Sequence, residues 1–383
     1  MFPLLDLLLA AAAFLGHFAL AVWLFNRLHT MPWPCSWIRG LERLLLLVAM
    51  LVPLAFLAIY IVNGRIGIVW LVYPVVCWSA LLAAIPLWVI PKLLERVPAE
   101  LLSNDTTECD IAAELGYRPV GDRKSGFYSR IPGNEIFRLQ IQRKTLRLAR
   151  LPQQLEGLTI AHLSDLHMCG RLTQPFYDAI VDRTNELGPD LVVITGDIAE
   201  KAACLPWIAP TLGRLRAKHG KYFILGNHEM RLGDAQPLRE ELVEAGLVGL
   251  GGTSREVEIR GTSILIAGTE LPWFGVAPQI ESNSLQFRIL LSHSPDQYPF
   301  ARAHDFDLML AGHTHGGQIR IPFIGALISP SHYGFRYAGG VFFEPPTLLH
   351  VSRGLAGLHQ LRFNCPPELP LLTLTRSVSE GPP

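Results

Sequence analysis

Five short clusters in the second half of the chain combine side-chain types that bind metal ions. Two pairs, Asp165/His167 and His313/His315, are spaced two residues apart, which puts both side chains on one face of extended backbone. Oxygen and nitrogen donors that converge in this number suggest two metal ions sharing a bridging carboxylate. Mixed imidazole and carboxylate donors suit Mn, Fe or Zn better than Ca or Mg. The candidate metal ligands are Asp165, His167, Asp197, Asn227, His293, His313 and His315.

A short apolar run precedes each cluster, and we interpret these runs as strands. Helical patterns at Pro175–Leu187 and Pro237–Ala245 separate the first of them, and this alternation favours an α/β domain. Sites in open α/β sheets collect at strand ends. Glycines before Asp197, Asn227 and His313 would let the chain turn sharply there. The predicted strands are Leu158–Leu163, Leu191–Ile194, Tyr222–Leu225, Ile264–Ala267, Ile289–Leu291 and Leu308–Leu310.

The remaining histidines lack such surroundings. His162, His350 and His359 lie among apolar residues, which favours packing in a core over metal binding. A second group has no cluster of ligand-type neighbours and receives no role: His219, His304 and His332.

The order of the clusters resembles the calcineurin-like metallophosphoesterase superfamily, whose pattern is DxH, GD, GNH[D/E], a later H, and GHxH. The resemblance covers about residues 135–375 and fills every motif position. The strings GHTHGGQIRIP and Val351–Leu355 are similar to a bacterial, membrane-anchored branch of that superfamily. The matching segments are Asp165-Leu166-His167, Gly196-Asp197, Gly226-Asn227-His228-Glu229, His293 and Gly312-His313-Thr314-His315.

The resemblance implies a fold of two β-sheets flanked by helices, with the metals at one edge. It also implies a division of the ligands. Asp165, His167 and His315 would hold the first metal, and Asp197 would bridge both ions. Asn227, His293 and His313 would hold the second metal. His228 would stay unligated and face the substrate.

Two adjacent cations can clamp a phosphoryl group and lower the pKa of a bridging water, so that hydroxide attacks phosphorus near neutral pH. His228 would then protonate the leaving group, and Asp165 would help to orient His228. The predicted activity is metal-dependent hydrolysis of a phosphomonoester, phosphodiester or pyrophosphate bond. Specificity is expected from the loop Glu270–Glu281, where Trp273 and Phe274 either contact substrate or pack over the sheet.

The N-terminal quarter has a different character. Only six charged side chains occur in residues 1–91, and three stretches reach the roughly 20 apolar residues that a helix needs to cross a bilayer. We predict membrane-spanning helices at residues 3–25, 41–62 and 66–90. A connector at 92–134 then leads to the metallophosphoesterase domain at 135–375, and 376–383 form a disordered tail.

Basic residues predict the orientation of these helices. Arg27, Arg39 and Arg43 lie in or beside the first loop and Lys92 and Arg96 follow the third helix, whereas the second loop contains only Arg65. The positive-inside rule therefore places the catalytic domain in the cytoplasm, at the inner membrane of the cell. A site tethered there favours a lipid-linked or membrane-proximal phosphoester.

Composition limits the alternatives. The chain has 383 residues, and 33 basic residues balance 33 acidic ones, which argues against a general nucleic-acid binder. The six cysteines show no metal-type spacing, as expected of reduced thiols in a cytosolic domain. A non-catalytic metal-dependent binding or regulatory module tethered to the membrane is the alternative function. The sequence leaves the native substrate, the metals and the oligomeric state open.

Overall fold

The computed structural model describes residues 4–63, 68–94, 96–280, 286–357 and 359–376. The chain divides into two compact units. The first comprises Met1–Arg96 together with the short segment Pro330–Arg336, and the second comprises Val97–Ser329 and Tyr337–Pro383.

The first unit is built from long apolar helices. Three of its helical segments are long and apolar enough to cross a membrane: Leu8–Leu28, Ser36–Val62 and Val72–Val89. They overlap the three predicted spans, although residues 64–67, with the predicted turn at Arg65, lie outside the described residues. The helices are α1 (Leu4–Leu28), α2 (Cys35–Asn63), α3 (Ile68–Ala84), a π-helical turn (Ile85–Val89) and α4 (Ile90–Leu94).

The second unit contains two large sheets flanked by helices, which confirms the predicted fold class. Its helices are α5 (Ile111–Leu115), α6 (Arg123–Tyr128), α7 (Gln174–Glu186), α8 (Ile208–Thr211), α9 (Gln236–Glu244) and α10 (Tyr298–Ala303). The first seven strands are β1 (Leu101–Asp110), β2 (Arg138–Arg147), β3 (Thr159–Leu163), β4 (Leu191–Thr195), β5 (Lys221–Ile224), β6 (Val248–Gly249) and β7 (Thr253–Ile259). The others are β8 (Thr262–Thr269), β9 (Phe287–Ser292), β10 (Leu308–Ala311), β11 (Arg320–Ile321), β12 (Gly325–Ala326), β13 (Gly340–Glu344), β14 (Thr347–Val351) and β15 (Glu368–Thr375).

One sheet has the order β1-β2-β15-β3-β4-β5-β6, and the other has the order β13-β14-β10-β9-β8-β7. β3, β4 and β5 run parallel in the first sheet, and β8, β9, β10 and β14 run parallel in the second. Each of the six predicted apolar runs forms one of these strands. Since parallel neighbours end at the same edge, the loops after them are brought together.

Alternation along the strands creates a core on each face of the sheets. In β4, Leu191 and Val193 join the core between the two sheets, whereas Val192 and Ile194 join the core beneath the helices. A strand that is buried on both faces has a continuous apolar sequence. For this reason the strands could be predicted from the sequence.

The range 92–134 is not merely a connector, and the expected domain start at 135 needs correction. Strand β1 pairs with β2 from Leu101↔Leu146 to Asp110↔Arg138, so it forms the edge of the first sheet. Most side chains in β1 are polar and exposed, and an edge strand of this kind lacks the apolar alternation that marks a strand. The expected disordered tail, 376–383, lies outside the described residues apart from Arg376.

Candidate metal centre

The candidate ligands extend from the ends of neighbouring strands. β3 leads into Asp165 and His167, β4 into Asp197, and β5 into Asn227. In the second sheet, β9 ends at Ser292, directly before His293, and β10 ends at Ala311, shortly before His313. The hydrogen bonds of Asp165 N to Gly196 O (3.1 Å) and of Gly312 N to His293 O (2.9 Å) tie adjacent loops together.

Among the described residues three groups of donors could hold a metal ion, and the candidate ligands make up two of them, which have one residue in common. Asp165, His167, Asp197 and His315 make the first group, and Asp197, His293 and His313 make the second. In each group the donor atoms lie within 4.8 Å of one another. Asn227 joins the second group, because its Oδ1 lies 3.1 Å from Nε2 of His293. All seven residues proposed from the sequence are therefore brought together, with Asp197 at the centre.

The contacts between donor atoms suit cations. Nε2 of His167 lies 3.1 Å from Nε2 of His315, and Nε2 of His293 lies 3.2 Å from Nδ1 of His313. Asp197 Oδ2 is buried without a hydrogen-bond donor among the described residues, yet it is 3.3 Å from Nε2 of His293 and 3.5 Å from Nε2 of His167. In these contacts, lone pairs on nitrogen and oxygen atoms face one another in a buried site. Divalent metal ions would bind between such lone pairs, so these residues fit two ions.

The backbone of the site is strained. Five candidate ligands have positive φ angles, in a region of backbone conformation that residues other than glycine rarely adopt. Each such residue costs of order 1–3 kcal/mol, and residues of this kind cluster at functional sites. The five are Asp165 (φ 56°), His167 (49°), Asp197 (53°), His313 (72°) and His315 (52°).

Two motif glycines make room for ligands. A Cβ at Gly226 would lie 2.4 Å from Oδ1 of Asp197, and one at Gly312 would lie 1.8 Å from Oγ of Ser164 and 2.5 Å from Oδ2 of Asp165. The φ angle of Gly226 is −112°, which any residue can adopt. We expected these glycines to permit sharp turns, but at Gly226 the requirement is close approach.

Buried opposite charges set the protonation of the centre. Burial alone would lower the pKa of His293, but the carboxylate of Asp197 outweighs it and raises this pKa to about 9. Burial would likewise raise the pKa of Asp197, yet the imidazoles of His293, His228 and His167 hold it well below its usual range. A metal ion that binds here must displace the proton of His293.

Comparisons with known proteins agree with this geometry. Residues 158–317 match the family described as calcineurin-like phosphoesterase. The metallophosphoesterase YkuE of Bacillus subtilis (strain 168) is 33% identical over 241 residues, covering 60% of this chain and 83% of its own. This chain belongs to the calcineurin-like phosphoesterase family. It is accordingly a metal-dependent phosphoester hydrolase, from a family that uses two metal ions.

Two further relatives of this phosphoesterase carry informative names. The phosphodiesterase YaeI of Escherichia coli (strain K12) is 28% identical over 233 residues, 60% of this chain and 86% of its own. A protein of Danio rerio named "transmembrane protein with metallophosphoesterase domain" is 31% identical over 187 residues, 44% of this chain and 43% of its own. A phosphoesterase domain therefore occurs in a protein whose name describes it as transmembrane.

Glu200 is a part of the site that the sequence argument missed. Its Oε1 lies 2.5 Å from Nδ1 of His167 and 3.0 Å from Nδ1 of His228, and its Oε2 accepts from Arg231 at 2.6 Å. Burial would raise the pKa of Glu200, but the imidazoles of His228 and His167 hold it well below its usual range. Glu200 follows Asp197 by three residues and belongs to none of the motifs that we used, so only its proximity in space reveals it.

The carboxylate beside His228 is therefore Glu200, which corrects the expected role of Asp165. Asp165 instead accepts from Ser164 Oγ at 2.6 Å and from the backbone N–H of His313, and its Oδ1 lies 3.4 Å from Nε2 of His315. His228 is half-buried, with 14% of its side chain exposed.

Glu229, the last residue of the GNHE motif, holds two loops in place. Its buried carboxylate accepts backbone N–H groups of Gly226 (2.6 Å), Asp197 (3.1 Å), Ile198 (2.6 Å) and Ala199 (3.1 Å). These bonds fix the loop that carries Asp197 against the loop that carries Asn227. The motif position thus serves the geometry of the ligands.

In the loop Glu270–Glu281, Trp273 and Phe274 were expected either to contact substrate or to pack over the sheet, and the two residues differ. The ring centroid of the half-buried Trp273 lies 5.0 Å from that of His313 and 5.6 Å from that of His293. Phe274 packs against the core beneath the helices. Trp273 therefore borders the candidate metal centre, whereas Phe274 packs against the core. Glu281, the last residue of this loop, lies outside the described residues.

His162 and His350 lie in the core, as the sequence suggested, but they are linked by hydrogen bonds. Lys144 Nζ donates to Nε2 of His350 at 2.9 Å, and the Nδ1 atoms of His350 and His162 are 2.9 Å apart. Nε2 of His162 lies 2.9 Å from Oγ1 of Thr195. An ammonium group can only donate, so Nε2 of His350 accepts from Lys144 and Nδ1 of His350 carries the proton. Nδ1 of His350 therefore donates to Nδ1 of His162, and Nε2 of His162 donates to Oγ1 of Thr195. These hydrogen bonds run from the first sheet to His350 in the second sheet and back to the first. Among the described residues, neither ring has a hydrogen bond or ion pair with a carboxylate.

Proposed function

We propose that the protein is a membrane-anchored phosphoesterase that works with two metal ions. Asp165, His167 and His315 would hold one ion, Asn227, His293 and His313 would hold the other, and Asp197 would bridge them. The observation that carries this proposal is that the two donor groups have only Asp197 in common. Imidazole and carboxylate donors favour Mn, Fe or Zn.

Metals bound at such a site supply positive charge that polarises a phosphoryl group and lowers the pKa of bound water. The chain's own part is to hold the ligands rigidly. Glu229 fixes two ligand loops, and Glu200 fixes the ring of His167 by contact with Nδ1, which leaves Nε2 free to point at the centre. A carboxylate that contacts a ligating histidine also makes that histidine a stronger ligand.

His228 has the position of a general acid. Its Nδ1 lies 3.0 Å from Oε1 of Glu200, and this contact orients the ring. Nε2, 3.9 Å from Oδ2 of Asp197, is then directed toward the centre and can donate its proton to the leaving oxygen of a phosphoester. After the transfer the neutral ring keeps its Nδ1 proton toward Glu200.

The substrate that we propose is a phosphomonoester, phosphodiester or pyrophosphate at or near the membrane, such as a lipid-linked one. Three helices long and apolar enough to cross a bilayer support this. The half-buried Trp273 gives the centre an aromatic wall on the side of His293 and His313. From the distribution of Lys and Arg we propose a multi-pass protein of the inner membrane with its catalytic unit in the cytoplasm.

A direct assay tests the function. The full chain in detergent or nanodiscs is stripped of metal and offered a chromogenic phosphomonoester and a chromogenic phosphodiester, with Mn, Zn, Mg or no metal. We expect metal-dependent hydrolysis that Asp197→Ala abolishes. Two bound metals without hydrolysis of either compound would indicate a narrow substrate, for which lipid phosphoesters are the next test. A folded chain that binds no metal would contradict the proposal.

A further inference from the structure

A small apolar hairpin follows the GHTHGG motif directly. Strands β11 and β12 pair through Arg320↔Ala326 and Ile321↔Gly325, separately from both large sheets. We call residues 319–328 the apolar hairpin, because their sequence, IRIPFIGALI, contains one charged residue and no acidic one. The metal ligation proposed above gives this hairpin no role.

The base of the hairpin is fixed to the catalytic unit. Arg320 N donates to Phe363 O at 2.9 Å, and Asn364 Nδ2 donates to Arg320 O at 2.9 Å. Ala326 is buried, and a Cβ on Gly317 would lie only 2.3 Å from the Cβ of Ala326. Because Gly317 follows His315 by two residues, the base is held close to a proposed metal ligand.

The tip of the hairpin is exposed although it is apolar. Phe323 is fully exposed, with a relative accessibility of 104%, and its φ angle is +67°. Ile319, Ile321, Ile324 and Ile328 are each exposed by 39% or more. Contiguous exposed apolar side chains of this kind mark a surface that binds another apolar phase.

The chain just beyond the hairpin indicates which phase that is. Residues Pro330–Arg336 belong to the unit of apolar helices. The carbonyl of His332 accepts from Arg27 at 3.4 Å, and the ring of Phe335 lies 5.5 Å from that of Trp88. Arg27 and Trp88 lie near the ends of candidate membrane spans, and Trp and basic residues at span ends mark the boundary between membrane and water.

Ile328 is two residues from Pro330, a distance that the extended chain covers in about 7 Å. The hairpin is therefore tied by a short stretch of chain to a segment that contacts the ends of candidate membrane spans. Arg320 at its base suits anionic headgroups, and aromatic and aliphatic side chains at its tip suit the boundary of headgroups and acyl chains.

We propose that the apolar hairpin inserts its tip into the surface of the bilayer that holds the helices, with Phe323 at the headgroup–acyl boundary. The insertion would hold the metal centre at the membrane surface. This inference does not depend on hydrolysis, because its test measures contact with lipid.

Photo-crosslinking of the full chain tests the inference. The photoreactive residue p-benzoylphenylalanine replaces Phe323, and the protein is reconstituted in nanodiscs of phosphatidylethanolamine and phosphatidylglycerol, irradiated, and analysed for lipid adducts by mass spectrometry. The matched control carries the same residue at Val243, an exposed apolar position on α9. Burial of one large apolar side chain in the bilayer favours adducts at position 323 over position 243 about tenfold or more.

A second variant shows whether the apolar tip causes the contact. With the photoreactive residue at Ile321, the substitutions Phe323→Ser and Ile324→Ser should abolish most lipid adducts, and both positions are exposed, so neither change disturbs the core. Equal labelling at 323 and 243, crosslinks from 323 to a second copy of the chain, or adducts at 321 that persist in the serine variant would each overturn the proposal.

Discussion

The catalytic unit buries two sets of histidines equally well and uses them differently. His167, His293 and His313 lie in the candidate metal centre with exposures of at most 3%, and His162 and His350 lie between the sheets with exposures of 0%. The first set lies in the loops that follow strand ends, within four residues of the end, whereas the second set lies within β3 and β14. Burial therefore does not identify a metal ligand.

The neighbours of each ring make the difference. Asp197 raises the pKa of His293 to about 9, against the effect of burial. His162 contacts His350 and Thr195 instead, and burial lowers its pKa to about 3. A buried histidine beside a carboxylate attracts cations, whereas one beside another histidine and a hydroxyl is a neutral hydrogen-bonding group.

Removal of the shared carboxylate should have the largest effect. Asp197→Asn takes the one negative charge common to both donor groups, so we expect hydrolysis to fall by roughly a thousandfold or more, equivalent to ~4 kcal/mol. Activity and metal content are measured together. Asp190→Asn is the matched control, because Asp190 is buried but bonds to Thr159 and Lys218 outside the centre. Equal losses in both variants would show that buried carboxylates matter only for folding.

His228→Gln should come next, because it removes an acid and leaves the proposed ligands in place. We expect both metals to be retained and kcat to fall by about a hundredfold. The loss should be smaller for a substrate whose leaving group needs no proton. His219→Gln serves as the control, since His219 lies outside the centre. Turnover at the unaltered rate would exclude His228 as the acid.

Glu200→Gln tests the residue that the sequence argument missed. Loss of its charge beside His167 should weaken metal binding by roughly 10- to 100-fold, as measured by competition with a chelator. Glu186→Gln, at an exposed ion pair with Arg183, should leave metal affinity unchanged. If Glu200→Gln also leaves it unchanged, the contact with His167 has no part in metal binding.

The histidines between the sheets should affect stability and have the smallest effect on hydrolysis. His162 has a pKa of about 3 in the fold and 6.5 as its reference value, so the unfolded chain binds the extra proton between those values. Stability should be fully present above pH 6.5 and fall on acidification, by about 1.4 kcal/mol per pH unit from this group. His162→Gln should reduce that slope, measured as the melting temperature in detergent at a series of pH values. An unchanged slope would show that His162 does not titrate in this way.

The sequence predicted the candidate metal ligands better than it predicted the residues and strands that hold those ligands in place. Motif order and strand ends gave all seven candidate ligands, because each motif is local and each strand that carries one is buried on both faces. Glu200 escaped notice because its role depends on a contact between separate loops. Strand β1 escaped notice because an exposed edge strand needs no apolar pattern. The bond chain from Lys144 to Thr195 depends on strands far apart in sequence that only the two-sheet packing brings together.

Counting metals tests the central claim most directly, namely that strand-end histidines bind metal and histidines within strands do not. Metal content per chain is measured by mass spectrometry for the full chain, for His293→Ala and His315→Ala, and for His162→Gln and His350→Gln. We predict two ions per chain in the unaltered protein, a loss of metal in the first pair of variants, and no loss in the second pair. Equal metal loss in both pairs, or full metal content in all four variants, would contradict the account.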